Sequence, residues 1–134
     1  MSRSFFPKAA CAVLVVWLIS APGASADCRL HRGDRVALYS TTDDPSVLIW
    51  DSRARLRAYN AASFDEAQAM LPHAVLVSPG TRAIVVSCVA GYVQSPISAQ
   101  ADDAVGVVIV SGPQRGITRW VLGSDVRWLQ GATH

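Results

Sequence analysis

Short apolar runs separated by turn-forming residues fill the second half of the chain. Four such runs follow residue 74, at residues 75–77, 82–89, 105–110 and 117–122. Runs of this length that are rich in Val and Ile are typical of buried β-strands. The last two flank a Ser-Gly-Pro-Gln-Arg-Gly sequence over residues 111–116, which predicts a hairpin loop. A one-turn helical segment is expected at residues 124–126.

The first half of the chain predicts two further strands, at residues 35–39 and 47–50, joined by a turn rich in Thr, Asp and Pro. Three arginines follow, alternating with Ala and Leu, at Arg53, Arg55 and Arg57. A period of two predicts a strand that points all three guanidinium groups to one face.

One helix is predicted, over residues 63–72. Ser63 and Glu66 match a capping box, in which each side chain accepts from the backbone of the other residue. An apolar stripe follows at Phe64, Ala67, Met70, Leu71 and Ala74. The helix is therefore expected to cover a β core. Between the later strands, residues 91–97 are expected to form a short strand or bend, and residues 100–103 a polar connection.

The N-terminal residues predict an export signal at residues 1–26. Arg3 and Lys8 precede an apolar run at residues 9–19, which is about half the length that a permanent membrane helix needs. Small residues then lead to a cleavage site between Ala26 and Asp27. Residues 27–134 would form a single domain in the periplasm or outside the cell.

Two cysteines, Cys28 and Cys88, follow the predicted signal. In an exported domain they are expected to form a disulfide, which would close a loop of 60 residues. Free or intermolecular thiols remain the alternative. Cys28 and His31 are close in sequence, which leaves a small hydrolase as a weaker hypothesis.

Charge argues against nucleic acid as a partner. Ten basic residues, all arginine, and ten acidic residues follow residue 26, so the predicted mature domain is near neutral. No later apolar run is long enough to span a membrane. The paired acidic residues lie in turns without the spacing of a zinc or calcium site, so neither a metal nor a cofactor is expected.

The C-terminal half resembles the bacterial Src-homology-3-like barrels of exported proteins. The resemblance covers about residues 75–129 and rests on three motifs: Pro79-Gly80-Thr81 before a strand, Ser111-Gly112-Pro113-Gln114-Arg115-Gly116 after one, and Trp120-Val121. It implies a mainly β, small barrel with the helix inserted, and a binding or scaffolding role without catalytic residues. Arg119 stands where the family usually has glycine. Residues 28–74 would either complete the barrel or form a separate flap.

Five residues are candidates for ligand binding: Arg53, Arg55, Arg57, Trp50 and Trp128. Arginine presents forked donors to carboxylates, phosphates and anionic glycans, and a half-exposed indole stacks on sugar or peptide. Solvated arginines and core tryptophans are the alternatives. A groove is expected between the loops at residues 41–45 and 114–118. The tripeptide Arg32-Gly33-Asp34 is interpreted as a turn and not as an adhesion motif.

These observations favour an exported, non-enzymatic binding module that recognises cell-wall glycan or peptide or an envelope protein. The alternative is a protein-interaction or inhibitor domain that acts on one specific partner through its helix or a sheet edge.

Overall fold

The computed structural model describes residues 28–95 and 98–129, and this part of the chain is mainly β. The predicted export signal and its cleavage site at Ala26 and Asp27 lie outside the described residues. The strands are β1 (Arg35–Leu38), β2 (Val47–Ile49), β3 (Val75–Val77), β4 (Thr81–Ser95), β5 (Ser98–Ile109), β6 (Thr118–Leu122) and β7 (Val126–Trp128). The helices are α1 (Arg53–Ala61) and α2 (Phe64–Met70), with 3₁₀ turns at Leu71–His73 and Gly123–Asp125.

The strands form two antiparallel sheets. The larger has the order β6-β5-β4-β1-β7, and the smaller pairs β2 with β3. One isolated bridge joins them, because Trp50 and Trp120 exchange two backbone hydrogen bonds of 2.9 and 2.8 Å. Among the described residues the sheets do not close into a barrel. Strand β1 lies inside the larger sheet, between β4 and β7, so the segment before residue 74 contributes to both sheets.

Two apolar clusters stabilise this arrangement. The larger fills the space between the sheets with branched side chains, among them Val36, Leu38, Ile49, Val85, Val107 and Val121. The smaller consists of Trp50, Leu56, Val93 and Ala104, with Tyr59, Tyr92 and Trp120 packed against it. Helix α1 contacts β4, β5 and β6 and contributes Leu56 as its one buried residue. The smaller cluster therefore fixes α1 on the sheet.

The strand predicted for Arg53, Arg55 and Arg57 is wrong, because these residues lie in α1. Ser52 is the N-cap, and its hydroxyl accepts a hydrogen bond from the Arg55 backbone at 3.1 Å. Arg, Ala and Leu have high helix propensity, and a short helix with one buried side chain needs no continuous apolar stripe. Alternation of arginine with small residues therefore did not distinguish the two structures.

The capped helix at residues 63–72 is confirmed. Helix α2 has Ser63 as its N-cap, and both hydrogen bonds of the capping box to Glu66 are present, at 3.3 and 3.0 Å. Its expected role of covering the β core holds only at its end, where Met70 is partly buried against the smaller apolar cluster. None of its residues is fully buried, and Phe64 is 76% exposed. The helix that covers the sheet is α1.

The hairpin of β4 and β5 extends further than expected. The strand alternative is confirmed for residues 91–95, which belong to β4, whereas the polar connection expected at residues 100–103 is wrong, because these residues belong to β5. The register between the strands shifts between Val89 and Val93, and Gly91 adopts a φ of 62° in that interval. This irregularity and the polar residues obscure the strand pattern in the sequence. The other predicted strands and the hairpin loop are confirmed, and the helical turn expected at residues 124–126 lies at residues 123–125, because Val126 begins β7.

The disulfide between Cys28 and Cys88 is confirmed, with an S–S distance of 2.07 Å. It ties the beginning of the described chain to the middle of β4. The neighbouring Leu30 is buried in the larger cluster, and the Arg29 guanidinium donates to the carbonyl oxygens of Gly123 and Val126, each at 3.1 Å. The segment before β1 is thus fixed covalently and by packing.

The 3₁₀ turn before β7 contains Asp125, whose carboxylate accepts a hydrogen bond from the Thr41 backbone at 3.2 Å. This contact holds the loop after β1 against the turn. Burial raises the pKa of Asp125 above its ordinary value, and the hydrogen bond from Thr41 opposes that shift in part.

Loss of the disulfide should destabilise the fold. In the chain-entropy model a closed loop of 60 residues corresponds to about 4 kcal/mol. We expect the double variant Cys28→Ser, Cys88→Ser to lose about that much unfolding free energy in urea titrations. Reductant should weaken the natural protein and leave the variant unchanged. Equal stability of the two proteins under oxidising conditions would contradict this role.

The burial of Asp125 gives a pH dependence with a definite sign. Its raised pKa means that the folded protein holds the proton on Asp125 more tightly than the unfolded chain does. The free energy of unfolding therefore falls as the pH rises from about 4 through the pKa of the folded protein. Asp125→Asn keeps an oxygen for Thr41, and we expect it to be more stable than the natural protein at pH 7 but not at pH 3. Urea unfolding at both pH values measures this.

Asp65→Asn is the matched control, because Asp65 is an exposed carboxylate in the first turn of α2. That change should lower stability slightly at pH 7 through the lost interaction with the helix dipole. A natural protein that is more stable than Asp125→Asn at pH 7 would show that the hydrogen bond from Thr41 outweighs the cost of burial.

Candidate functional site

Two arginines of α1 lie on aromatic rings of the sheet. The guanidinium carbon of Arg57 is 4.8 Å from the centre of the Tyr92 ring, and that of Arg53 is 5.5 Å from the same ring and 6.0 Å from the Trp120 ring. Arg53 and Arg57 are four positions apart and therefore share one face of the helix. We call Arg53, Arg57, Tyr92 and Trp120 the arginine–aromatic face.

Packing beneath the helix sets the geometry of this face. Leu56, which lies between the two arginines in sequence, is buried beneath the helix. Tyr59 packs on Trp50 with ring centres 4.9 Å apart. Gly106 lies opposite Trp120 in the register of β5 and β6, and a Cβ at that position would be 3.1 Å from the indole ring.

The two guanidinium groups on this face are not neutralised by an acid. Within residues 28–95 and 98–129, neither Arg53 nor Arg57 has a carboxylate oxygen within 4.0 Å. Arg55, which points elsewhere, is paired with Asp51 at 3.7 Å. A cation–π contact orients a guanidinium group. Its N–H donors lie in the plane of the guanidinium group and stay available to another acceptor. Arg53 and Arg57 are both exposed, so they can bind an anion from solvent.

A cavity of about 220 Å³ opens at the last turn of α1, where its lining begins at Asn60, three residues after Arg57. It lies between the end of α1, the distal halves of β4 and β5, and the end of β6. Its lining includes Asn60, Val93, Gln94, Gln100, Asp102 and Leu122. The lining is amide-rich, and Asp102 is its acidic group. Asp102 accepts hydrogen bonds from the Ser124 hydroxyl at 2.6 Å and from the Asp103 backbone at 2.8 Å.

The structure separates the five predicted ligand-binding residues. Arg53 and Arg57 share a face, whereas Arg55 is in an ion pair with Asp51. Of the two alternatives for Trp50, core packing is confirmed, because its side chain is 1% exposed and belongs to the smaller apolar cluster. A ring that is covered on all sides cannot stack on a ligand.

Trp128 is half exposed, as expected, but lies far from these arginines in the strand order. It belongs to β7, at the opposite edge of the larger sheet from β6. Its indole N–H donates to Asp34 at 3.0 Å, and Arg29 lies over its ring at 5.0 Å. Asp34 also accepts from the His31 backbone at 2.9 Å and is 7% exposed. The carboxylate of the Arg32-Gly33-Asp34 sequence therefore organises the turn before β1.

The two loops expected to flank a groove use polar side chains locally. Thr42 donates to Asp44 at 2.7 Å, and the Gln114 side-chain oxygen accepts from the Arg119 guanidinium group at 3.0 and 3.3 Å. Arg119 is thereby fixed to the hairpin loop after β5. These contacts stabilise each loop and point to no shared ligand.

Tyr92, Asn60 and Gln94 were not identified from the sequence. Their positions depend on α1 and on the distal part of the β4–β5 hairpin, the two elements that the pattern of apolar residues did not predict. Ser52 followed by six residues of mostly high helix propensity is the signal that could have located α1.

One group of side chains in the described residues meets the geometry of a metal site. Ligand atoms of Cys28, Cys88 and Asp103 lie within 4.8 Å of one another, but the two sulfurs are bonded to each other. No helix between residues 28 and 129, as far as the chain is described, has the length and apolar character to cross a membrane. Comparisons with family models, curated proteins and solved structures give no match for this chain.

Proposed function

We propose that this protein is an exported, non-enzymatic binding module whose arginine–aromatic face recognises an anionic ligand. The ligand class is cell-wall glycan or peptide, or an acidic surface of an envelope protein. The observation that carries the proposal is the pair Arg53 and Arg57, held on Tyr92 without a neighbouring carboxylate in the described chain. The disulfide supports export, since such bonds persist in oxidising compartments.

The Src-homology-3-like barrel is part of the same proposal. Strands β4, β5 and β6 are consecutive antiparallel neighbours, and a 3₁₀ turn leads from β6 to β7. That order of elements supports a small barrel-like module over residues 75–129. Helix α1 would then be an addition that supplies Arg53 and Arg57, while β4 and β6 supply the aromatic rings of the face.

Preorganisation is the physical reason for assigning binding to these arginines. A free arginine side chain loses rotamer freedom when it binds, which weakens the complex. Stacking on Tyr92 and Trp120 limits that freedom in advance. Guanidinium groups then present parallel N–H donors that match carboxylate and phosphate oxygens.

A non-enzymatic role is supported by the state of Cys28. A small hydrolase of the thiol type would need a free sulfur beside a histidine. The Cys28 sulfur is bonded to Cys88, while the His31 backbone N–H donates to Asp34 within a turn.

A second candidate, a protein-interaction or inhibitor domain, is favoured by two exposed apolar residues. Phe64 on α2 is 76% exposed and Leu76 on β3 is 63% exposed. Exposed side chains of this size are common at protein interfaces. Stoichiometric co-purification of one protein that is lost in Phe64→Ser, Leu76→Ser would favour this candidate.

Removal of one guanidinium group from the face should weaken anion binding. We expect Arg57→Gln to lower retention on purified peptidoglycan about fivefold or more at low salt, because one charge-assisted hydrogen-bond donor group is lost. Binding of the natural protein should weaken as salt rises. Sedimentation with the insoluble matrix, followed by quantification of the bound fraction, measures both effects.

Arg55→Gln is the matched control, since it removes the same charge from the same helix but from an arginine already paired with Asp51. It should retain nearly full binding. If both variants lose retention equally, net charge and not the arginine–aromatic face determines binding.

A further inference from the structure

We infer that the arginine–aromatic face and the adjoining cavity form one site for an acidic sugar. The anionic group of the sugar binds Arg53 and Arg57, and its hydroxyl-bearing ring occupies the cavity. The binding of the anionic group by the arginine–aromatic face rests on the proposed function. The binding of the sugar ring by the cavity is added here.

The face and the cavity are continuous along two elements. Asn60 follows Arg57 by three positions and so lies one turn further along the same side of α1. Gln94 follows Tyr92 by two positions on β4. Both Asn60 and Gln94 line the cavity. The cavity thus begins about one helical turn beyond Arg57, so we expect one ligand to contact both.

The lining of the cavity fits a single polyhydroxyl ring. Amide side chains both donate and accept hydrogen bonds, as hydroxyl groups do. Asn60 donates to the Leu56 carbonyl oxygen at 2.8 Å, and its own side-chain oxygen can accept from a ligand hydroxyl. Val93 and Leu122 provide apolar contact for C–H groups. The volume of about 220 Å³ is below the roughly 300–1,000 Å³ of common drug-sized pockets, so one ring fits better than a larger ligand.

Charge gives the site a direction. The guanidinium groups lie at one end, and the Asp102 carboxylate lines the cavity beyond them. Asp102 is an acceptor, so it favours hydroxyl donors and repels a second anionic group. An acidic sugar, with one anionic substituent and several hydroxyl groups, satisfies both ends.

An extended peptide fits this site less well. Peptides that bind sheets pair with a free strand edge. Here β4 and β5 pair with each other where they line the cavity, with Val93 opposite Asp102. Recognition in the cavity thus depends on side chains and not on open backbone groups.

Isothermal titration of the disulfide-bonded protein with glucuronate, glucose 6-phosphate, glucose, inorganic phosphate and an acidic peptide tests the inference. Glucuronate or glucose 6-phosphate should bind at least about tenfold more tightly than glucose and several-fold more tightly than phosphate alone, because only the acidic sugars engage both halves. The two acidic sugars distinguish carboxylate from phosphate as the anionic group.

Two variants separate the halves of the site. Arg57→Gln should weaken every anion, whereas Gln94→Ala should weaken acidic sugars about threefold to fivefold and leave inorganic phosphate unchanged. Arg55→Gln should affect none of them. Gln94 is exposed, so its replacement preserves the fold.

The outcomes distinguish this inference from the proposed function. If phosphate and glucuronate bind equally and Gln94→Ala changes neither, the cavity takes no sugar, while anion binding by the arginines stands. Tighter binding of the acidic peptide, with dependence on Gln94, likewise overturns the sugar assignment alone. Absence of binding by every anion overturns both.

Discussion

The contact between α1 and the sheet is the interaction on which the candidate site depends. Leu56 is the one buried residue of the helix, and it packs with Trp50, Val93 and Ala104. Full burial of a leucine side chain stabilises the folded state by roughly 1.5–3 kcal/mol. A helix of nine residues is marginal by itself in water, so this contact supplies much of the free energy that keeps it folded. Because Leu56 lies between Arg53 and Arg57 on the same short helix, its burial holds both guanidinium groups over Tyr92 and that of Arg53 near Trp120 as well.

Much of the fold was predictable where side chains have one dominant role. Runs of Val and Ile must be buried, and strands β1, β2, β3 and β6 follow from them. Ser63 and Glu66 located α2 through local hydrogen bonds that need no tertiary contact. The strand predicted for the arginines of residues 53–61 was wrong because arginine and alanine occur both in helices and at strand edges. The choice between the two depends on a hydrophobic pocket that other segments supply.

The candidate site was predictable in residue type but not in geometry. Arginine was expected to provide anion donors on one face, yet period two grouped Arg55 with the other two, and helical geometry separates it. Trp50 shows the same limit. Aromatic side chains suit both cores and binding surfaces, and only the packing of Tyr59 and Leu56 around it decides between them.

The disulfide and the site are connected through β4. Register shifts occur on both sides of Cys88, between Val85 and Ser87 and between Val89 and Val93. Between these two shifts, Ser87, Cys88 and Val89 pair in regular register with β5, so the disulfide holds the regular segment that separates the irregular ones. Tyr92 lies within the second shift, between Val89 and Val93. The disulfide therefore fixes the part of β4 that leads into the ring on which both arginines lie.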